Sequence, residues 1–310
     1  MTVALFTHPA GLDHDTGPGH PECPDRLRAV LQALEHPDFV ALLREVSPEA
    51  TIEQLERVHP PDYVRAILAI RPPVGDMVQL DGDTFMSHGS HEAILRACGG
   101  AVAAVDAVME GWARAAFVAT RPPGHHAERS RPMGFCLFNG AAVAALHARA
   151  RWGLRRVAVV DFDVHHGNGT QDIFEADADL MYVSSHQSPC YPGTGDAGER
   201  GIDGNVLNLP LPPGSTGVEF RRVWERTGLP ALHDFAPELL IVSAGFDAHR
   251  ADPLAELLLE TEDFGWMTDQ LLAVADRHSG GRLVSIMEGG YDLRALAASA
   301  ALHVRRLMRQ

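Results

Sequence analysis

Short apolar runs rich in Val, Ile and Leu recur along the chain at 3–7, 116–120, 157–161, 180–184, 239–243 and 283–287. Nearly continuous apolarity over about five residues predicts strands buried on both faces, as in a parallel sheet. Helix-period segments separate them. Over 91–110, Ile94, Cys98, Ala101, Val105, Val108 and Met109 fall three or four apart, the spacing of one buried helix face. Segments 139–152 and 261–278 read the same way, the latter with Thr261 as its expected N-cap and acidic residues behind it. The alternation predicts an α/β fold, a parallel sheet covered by helices on both faces, with ligands collecting outside the carboxyl ends of its strands.

Composition adds bounds. At 310 residues, 45% hydrophobic and 22% charged, the chain has material for a large core, and no Pro/Ser-rich linker or charge block divides it, so one domain over 1–310 is expected. The 26 basic and 41 acidic residues give a net charge of −15, which disfavours direct nucleic-acid binding and suits a cationic partner. The first apolar run is too short for a signal peptide or membrane span and no basic segment precedes it, so a cytoplasmic location is expected. Cys23, Cys98, Cys136 and Cys190 show no C-x-x-C spacing and are expected to be reduced and mostly buried.

Polar residues cluster after four of the apolar runs, in RPPGHHA, DFDVHHGNGT, AGFDAHRADP and EGGYD. Turns end in Ser, Asn and Lys more readily than in His, Asp and Tyr, so the repetition points to a site. Alternation along an extended segment puts Asp161, Asp163 and His165 on one side and Phe162 and Val164 on the other. Asp163, His165 and Asp247 then form a three-ligand set with an open position, as a catalytic zinc requires; two Asp and one His also suit ferrous iron or cobalt. A bound divalent cation makes water acidic and polarises a carbonyl, so hydrolysis of an amide or ester is the natural reaction. His125 and His126 offer the proton shuttle, with Asp161 placed to orient one of them. His166 should point away as a structural hydrogen-bonder, and Tyr291, after Gly289 and Gly290, offers a hydroxyl to a developing oxyanion.

With GFC at 134–136 and the order DFDVHHGNGTQ, SAGFDAHRADPL, EGGYDL, the chain resembles the zinc-dependent histone deacetylase family over nearly its whole length. The resemblance implies an arginase/deacetylase fold, with about eight strands between helix layers and the metal at the foot of a narrow acyl-lysine tunnel. It places the metal ligands on Asp163, His165 and Asp247, the dyad on His125 and His126 and the transition-state tyrosine on Tyr291. It also implies Phe135 and Tyr191 as tunnel aromatics and the Gly134 backbone as a contact of the substrate amide. A potassium ion beside the active metal is implied near Asp161 and Ser184. Asn168 stands where one branch has a second carboxylate partner for the dyad, as in the class II branch, and should favour a neutral imidazole.

Binuclear ureohydrolases of the same fold add ligands at positions matching Gly167 and His249, and glycine offers none. The family's substrates are acyl-lysine in proteins or peptides and acetylated polyamines. A glutamate typical of polyamine-selective members falls on Leu254, which leans towards acyl-lysine, with Asp83 and Glu256 close enough to charge the rim. A catalytically idle acyl-lysine-binding module is the third reading, disfavoured because the ligands, dyad and tyrosine are all present.

Overall fold

In the computed structural model, which describes residues 2–309, eight strands form one wholly parallel sheet in the order β2-β1-β5-β10-β9-β6-β7-β8. These are β1 (Val3–Thr7), β2 (Leu43–Val46), β5 (Ala115–Ala119), β6 (Val157–Asp161), β7 (Leu180–Gln187), β8 (Val206–Leu211), β9 (Leu239–Ala244) and β10 (Leu283–Met287). A separate hairpin pairs β3 (Met77–Gln79) with β4 (Phe85–Ser87). No described helix is long and apolar enough to cross a membrane.

Successive side chains of each inner strand enter opposite layers. Val3 and Leu5 join one core with Val160, Phe246 and the helices Pro24–Ala33, Thr261–His278 and Leu293–Leu307. Ala4 and Phe6 join the other with Val159, Ile241 and the helices Ser90–Glu110 and Gly140–Trp152. Burial on both faces is why these strands read as unbroken apolar runs. Truncating a fully buried member such as Ile241 to Ala costs about 2–5 kcal/mol.

All six expected strands form, β5 one residue earlier and β7 three residues longer than its apolar run. The two edge strands carried too little pattern to predict. All four residues of β2 are exposed, and β8 is interrupted by Pro210. The cap of the Thr261–His278 helix is Glu260 rather than Thr261: the Glu260 side chain accepts from the Asp263 amide, and the Glu260 amide donates to Asp263 Oδ2 at 2.9 Å. Glu260 has the extended backbone of a cap and Thr261 is already helical. All four cysteines are free, but only Cys98 and Cys136 are buried; Cys23 and Cys190 are half-buried.

Candidate active site

The chain leaves β6 at Asp161 and continues as an irregular turn, yet the alternation persists. Phe162 and Val164 are buried in the core, while Asp161 Oδ1 accepts the Asp163 amide at 3.1 Å and Asp163 Oδ1 accepts the His165 amide at 2.9 Å. Each carboxylate thereby fixes the residue two places on. Asp247, just past β9, is anchored by accepting the Val164 amide at 2.9 Å. His165 Nδ1 lies 3.1 Å from Asp163 Oδ1 and 3.2 Å from Asp247 Oδ2, and one ligand atom from each of the three residues falls within 4.8 Å of the others. Glycine lets the backbone close around them. A Cβ on Gly289 would sit 2.0 Å from Asp247 Oδ2, and one on Gly245 2.1 Å from Asp163 Oδ2.

The donor set fits a divalent cation. Burial, followed by the charge of Asp163, pushes the Asp247 carboxyl up to about 7. Burial also acts to raise Asp163, but the facing His125 and His165 hold it well below the usual carboxylate range. Among the described residues no Lys or Arg pairs with either carboxylate. Two buried carboxylates and one imidazole, closed on the protein side and open to a cavity, are complementary to one cation with a free coordination position.

The paired imidazoles of His125 and His126 follow β5. His125 Nδ1 lies 3.0 Å from Asp161 Oδ2, and His126 Nδ1 lies 2.8 Å from Asn168 Oδ1, at the start of the helix Asn168–Phe174. With both Nδ1 atoms occupied, each ring has Nε2 free for chemistry. The rings are 4.0 Å apart, and their surroundings split them. Burial disfavours charge on His125, but Asp163 and Asp161 outweigh it and push the ring up to about 10. Burial, followed by the charges of His125 and His165, holds His126 well below its usual value. These surroundings thus favour the charged form of His125 and the neutral form of His126.

A cavity of about 370 Å³ opens above these groups, walled by His126, His165, Gly134, Phe135 and Tyr291, with Tyr191, Leu254 and Asp83 towards its mouth. Tyr191 and Leu254 are 39% and 37% exposed, which makes them rim residues. Gly134 must be glycine: its φ is +55°, and a Cβ would lie 2.4 Å from His126 Cδ2. Phe135 also has a positive φ, +68°, held by its amide donating to Thr84 Oγ1 at 3.0 Å, and its ring stands 5.9 Å from that of Tyr291. The Arg26 guanidinium lies over the Tyr291 ring at 4.8 Å, and Asp252 Oδ2 accepts the Tyr291 amide at 2.7 Å. Burial keeps the Tyr291 hydroxyl protonated far above its usual range, although Arg26 acts in the other direction.

A family model for the histone deacetylase domain matches residues 20–307. The chain belongs to the histone deacetylase family. It is 42% identical over 279 residues to the histone deacetylase-like amidohydrolase of Pseudomonas aeruginosa, covering 88% of this chain and 73% of that protein. It is 37% identical over 323 residues to histone deacetylase 14, chloroplastic, of Arabidopsis thaliana, covering 98% and 76%. The crystal structure of the HDA15 HD domain matches with a TM-score of 0.92 at 34% identity, covering all of this chain and 88% of that one. Fold and family together place the chain among hydrolases of the deacetylase type.

Within this family member the remaining sequence candidates fall as follows. Ser184 faces Asp161 across the β6–β7 ladder, its hydroxyl 2.9 Å from His186 Nδ1. His166 points away and bonds Thr194 and Gln171. Glu256 does not line the cavity; its amide donates to Gln187. A Cβ on Gly167 would sit 2.4 Å from Asp161 Oδ2, so a second metal ligand has no room there, and His249 is directed to Thr261 and the Ala251 amide. Several buried partners escaped the sequence reading. Glu288 Oε2 accepts the Gly124 and His125 amides at 2.7 and 3.2 Å and Oε1 accepts the Ser243 hydroxyl, joining the ends of β5, β9 and β10. Tyr182 donates to Asp161 Oδ2 at 3.0 Å. Arg26 and Arg121 share buried Glu22. Glu288 and Arg121 stood inside the EGGYD and RPPGHHA motifs, and that position was the available signal.

Proposed function

We propose that the protein hydrolyses the N-acyl amide of a lysine side chain with the help of one zinc ion. The observation that carries this reading is the open Asp163–His165–Asp247 set at the foot of a cavity, directly beside two imidazoles held by different partners, Asp161 on His125 and Asn168 on His126. A cation held there would supply Lewis-acid polarisation of the acyl carbonyl and make water acidic enough to lose a proton near neutral pH.

The chain's own residues then divide the work. His126, neutral and exposed to the cavity, takes the proton from the attacking water at Nε2, while Asn168 accepts its Nδ1–H and fixes that tautomer. His125, whose charged form Asp163 and Asp161 favour, contributes positive charge next to the reacting carbonyl. The Tyr291 hydroxyl, protonated throughout, donates to the oxyanion as it forms; losing such a donor costs about a hundredfold or more in kcat. The proton collected on His126 passes to the departing amine. Phe135 and Tyr191 flank the slot that takes the alkyl chain. A potassium ion beside Asp161 and Ser184 belongs to the same proposal, tested by exchanging potassium for sodium during assay.

Asp83 supports a second reading, an acetylated polyamine, because a half-buried carboxylate at the mouth would attract a second ammonium group. Leu254 at the rim supports acyl-lysine. The deciding experiment compares kcat/KM of zinc-loaded protein for acetyl-lysine peptide, longer acyl-lysines, N-acetylputrescine and N-acetylspermidine. A large preference for either acetylpolyamine overturns the acyl-lysine assignment. Absence of turnover on every substrate would leave a binding module instead.

A further inference from the structure

Asn168 has a second partner besides His126. Its Nδ2 donates to Glu128 Oε1 at 2.8 Å, on the side opposite the 2.8 Å contact between its Oδ1 and His126 Nδ1. A side-chain amide is nearly isosteric about its end, so only its partners decide whether oxygen or nitrogen faces the imidazole. Glu128 is an acceptor in its ionised form. Nδ2 has two weaker acceptors nearby, Met133 Sδ at 3.2 Å and the His126 carbonyl at 3.5 Å, and the carboxylate dominates them.

We propose that Glu128 is a positioning residue: its carboxylate holds the Asn168 amide with oxygen towards His126 and so fixes the imidazole tautomer that leaves Nε2 able to accept a proton. This rests on the dyad role proposed above. With the amide reversed, NH₂ would face His126 Nδ1, the ring proton would move to Nε2, and the base would be lost. The loop is built to keep the carboxylate in place. The Glu128 amide donates to the Arg131 carbonyl at 3.0 Å, and Arg129 clamps the same helix that carries Asn168, its amide donating to Asp172 Oδ2 at 2.9 Å and its guanidinium to the Ile173 carbonyl at 2.6 Å. The contact between helix and loop is close enough that a Cβ on Gly169 would lie 2.2 Å from the Ala127 carbonyl oxygen.

The test is a double-mutant cycle with a spectroscopic readout. In zinc-loaded protein, Glu128→Ala is expected to lower kcat about ten- to a hundredfold with KM little changed, and Glu128→Gln, which keeps an acceptor oxygen, to recover most of the loss. In an Asn168→Asp background the sidedness of the amide no longer exists, so Glu128→Ala there is expected to be neutral or beneficial. Nitrogen-15 NMR of the His126 ring is expected to show the proton on Nδ1 in the parent and Glu128→Gln proteins and a shift towards Nε2 in Glu128→Ala. An equal loss in both backgrounds, or an unchanged tautomer in Glu128→Ala, overturns the proposal. The NMR result is independent of turnover, so failure of the functional reading and failure of this one are distinguishable.

Discussion

Gly167 is the position where a single methyl group tests the site geometry most sharply. Its φ is −78°, so conformational freedom is not the reason for glycine here. Space is the reason: a Cβ would lie 2.4 Å from Asp161 Oδ2, 2.5 Å from the Tyr182 hydroxyl and 3.0 Å from His125 Nδ1. None of the three can retreat freely. Asp161 and Tyr182 are fully buried, the Tyr182 hydroxyl accepts the Gly167 amide at 3.0 Å and donates to Asp161, and Asp161 holds His125. Overpacking a tight interior costs about 1–3 kcal/mol, and parting a hydroxyl from a buried carboxylate about 1.5–3 kcal/mol more. Gly167→Ala should therefore lose about 3–6 kcal/mol. With an unfolding entropy of about 2.1 cal/mol/K per residue, that is a melting point lower by about 5–9 °C. Displacing Asp161 also releases His125, so kcat/KM for an acetyl-lysine peptide should fall about a hundredfold. Calorimetry and deacetylation kinetics read the two effects separately. A variant that melts within about 1 °C of the parent and keeps kcat/KM within about twofold would refute the packing argument.

Asn168→Asp places a carboxylate 2.8 Å from His126 Nδ1 and should raise that imidazole by about one to three pH units; because the neutral ring is the base, the acidic limb of kcat/KM must move to higher pH, and an unchanged profile counts against the assignment. Asp247→Asn removes one of two carboxylate donors, so zinc should bind about ten- to a hundredfold more weakly by competition with a chelator, while chelation of the parent lowers its melting point by mass action. Equal zinc affinity in the two proteins would exclude Asp247 as a ligand. Glu288 is pushed by burial from the usual 4.5 up to about 7 although His125 opposes the shift. A raised carboxyl stabilises the fold below its unfolded value and loses that contribution as pH climbs through 4.5 to 7, so the parent should lose up to about 3 kcal/mol over this window. Glu288→Gln should flatten the slope in chemical unfolding at pH 5 and 7; identical slopes would contradict the burial argument.

The six inner strands and three long helices were legible because burial on two faces leaves an unbroken apolar run and burial along one helix face leaves a three-to-four-residue apolar spacing. The clustering of Asp161, Asp163 and His165 was legible for a related reason: the three alternate within five residues, and local alternation outlasted the end of β6 itself. What the sequence by itself determined is thus which His, Asp and Tyr side chains gather at the strand ends. Tertiary structure alone decided the partners. Asp161 meets His125 across 36 residues, Glu288 meets the Gly124 amide across 164, and the order β5-β10-β9-β6 that brings them together is a property of the whole sheet. The rim was likewise unreadable, since Asp83 reaches the cavity mouth on the turn of a short hairpin whose β3 strand lies at the surface. His125 and His126, adjacent and chemically identical in sequence, are shifted in opposite directions because the fold sets Asp163 and Asp161 against the first ring, whereas burial and the neighbouring imidazoles act on the second.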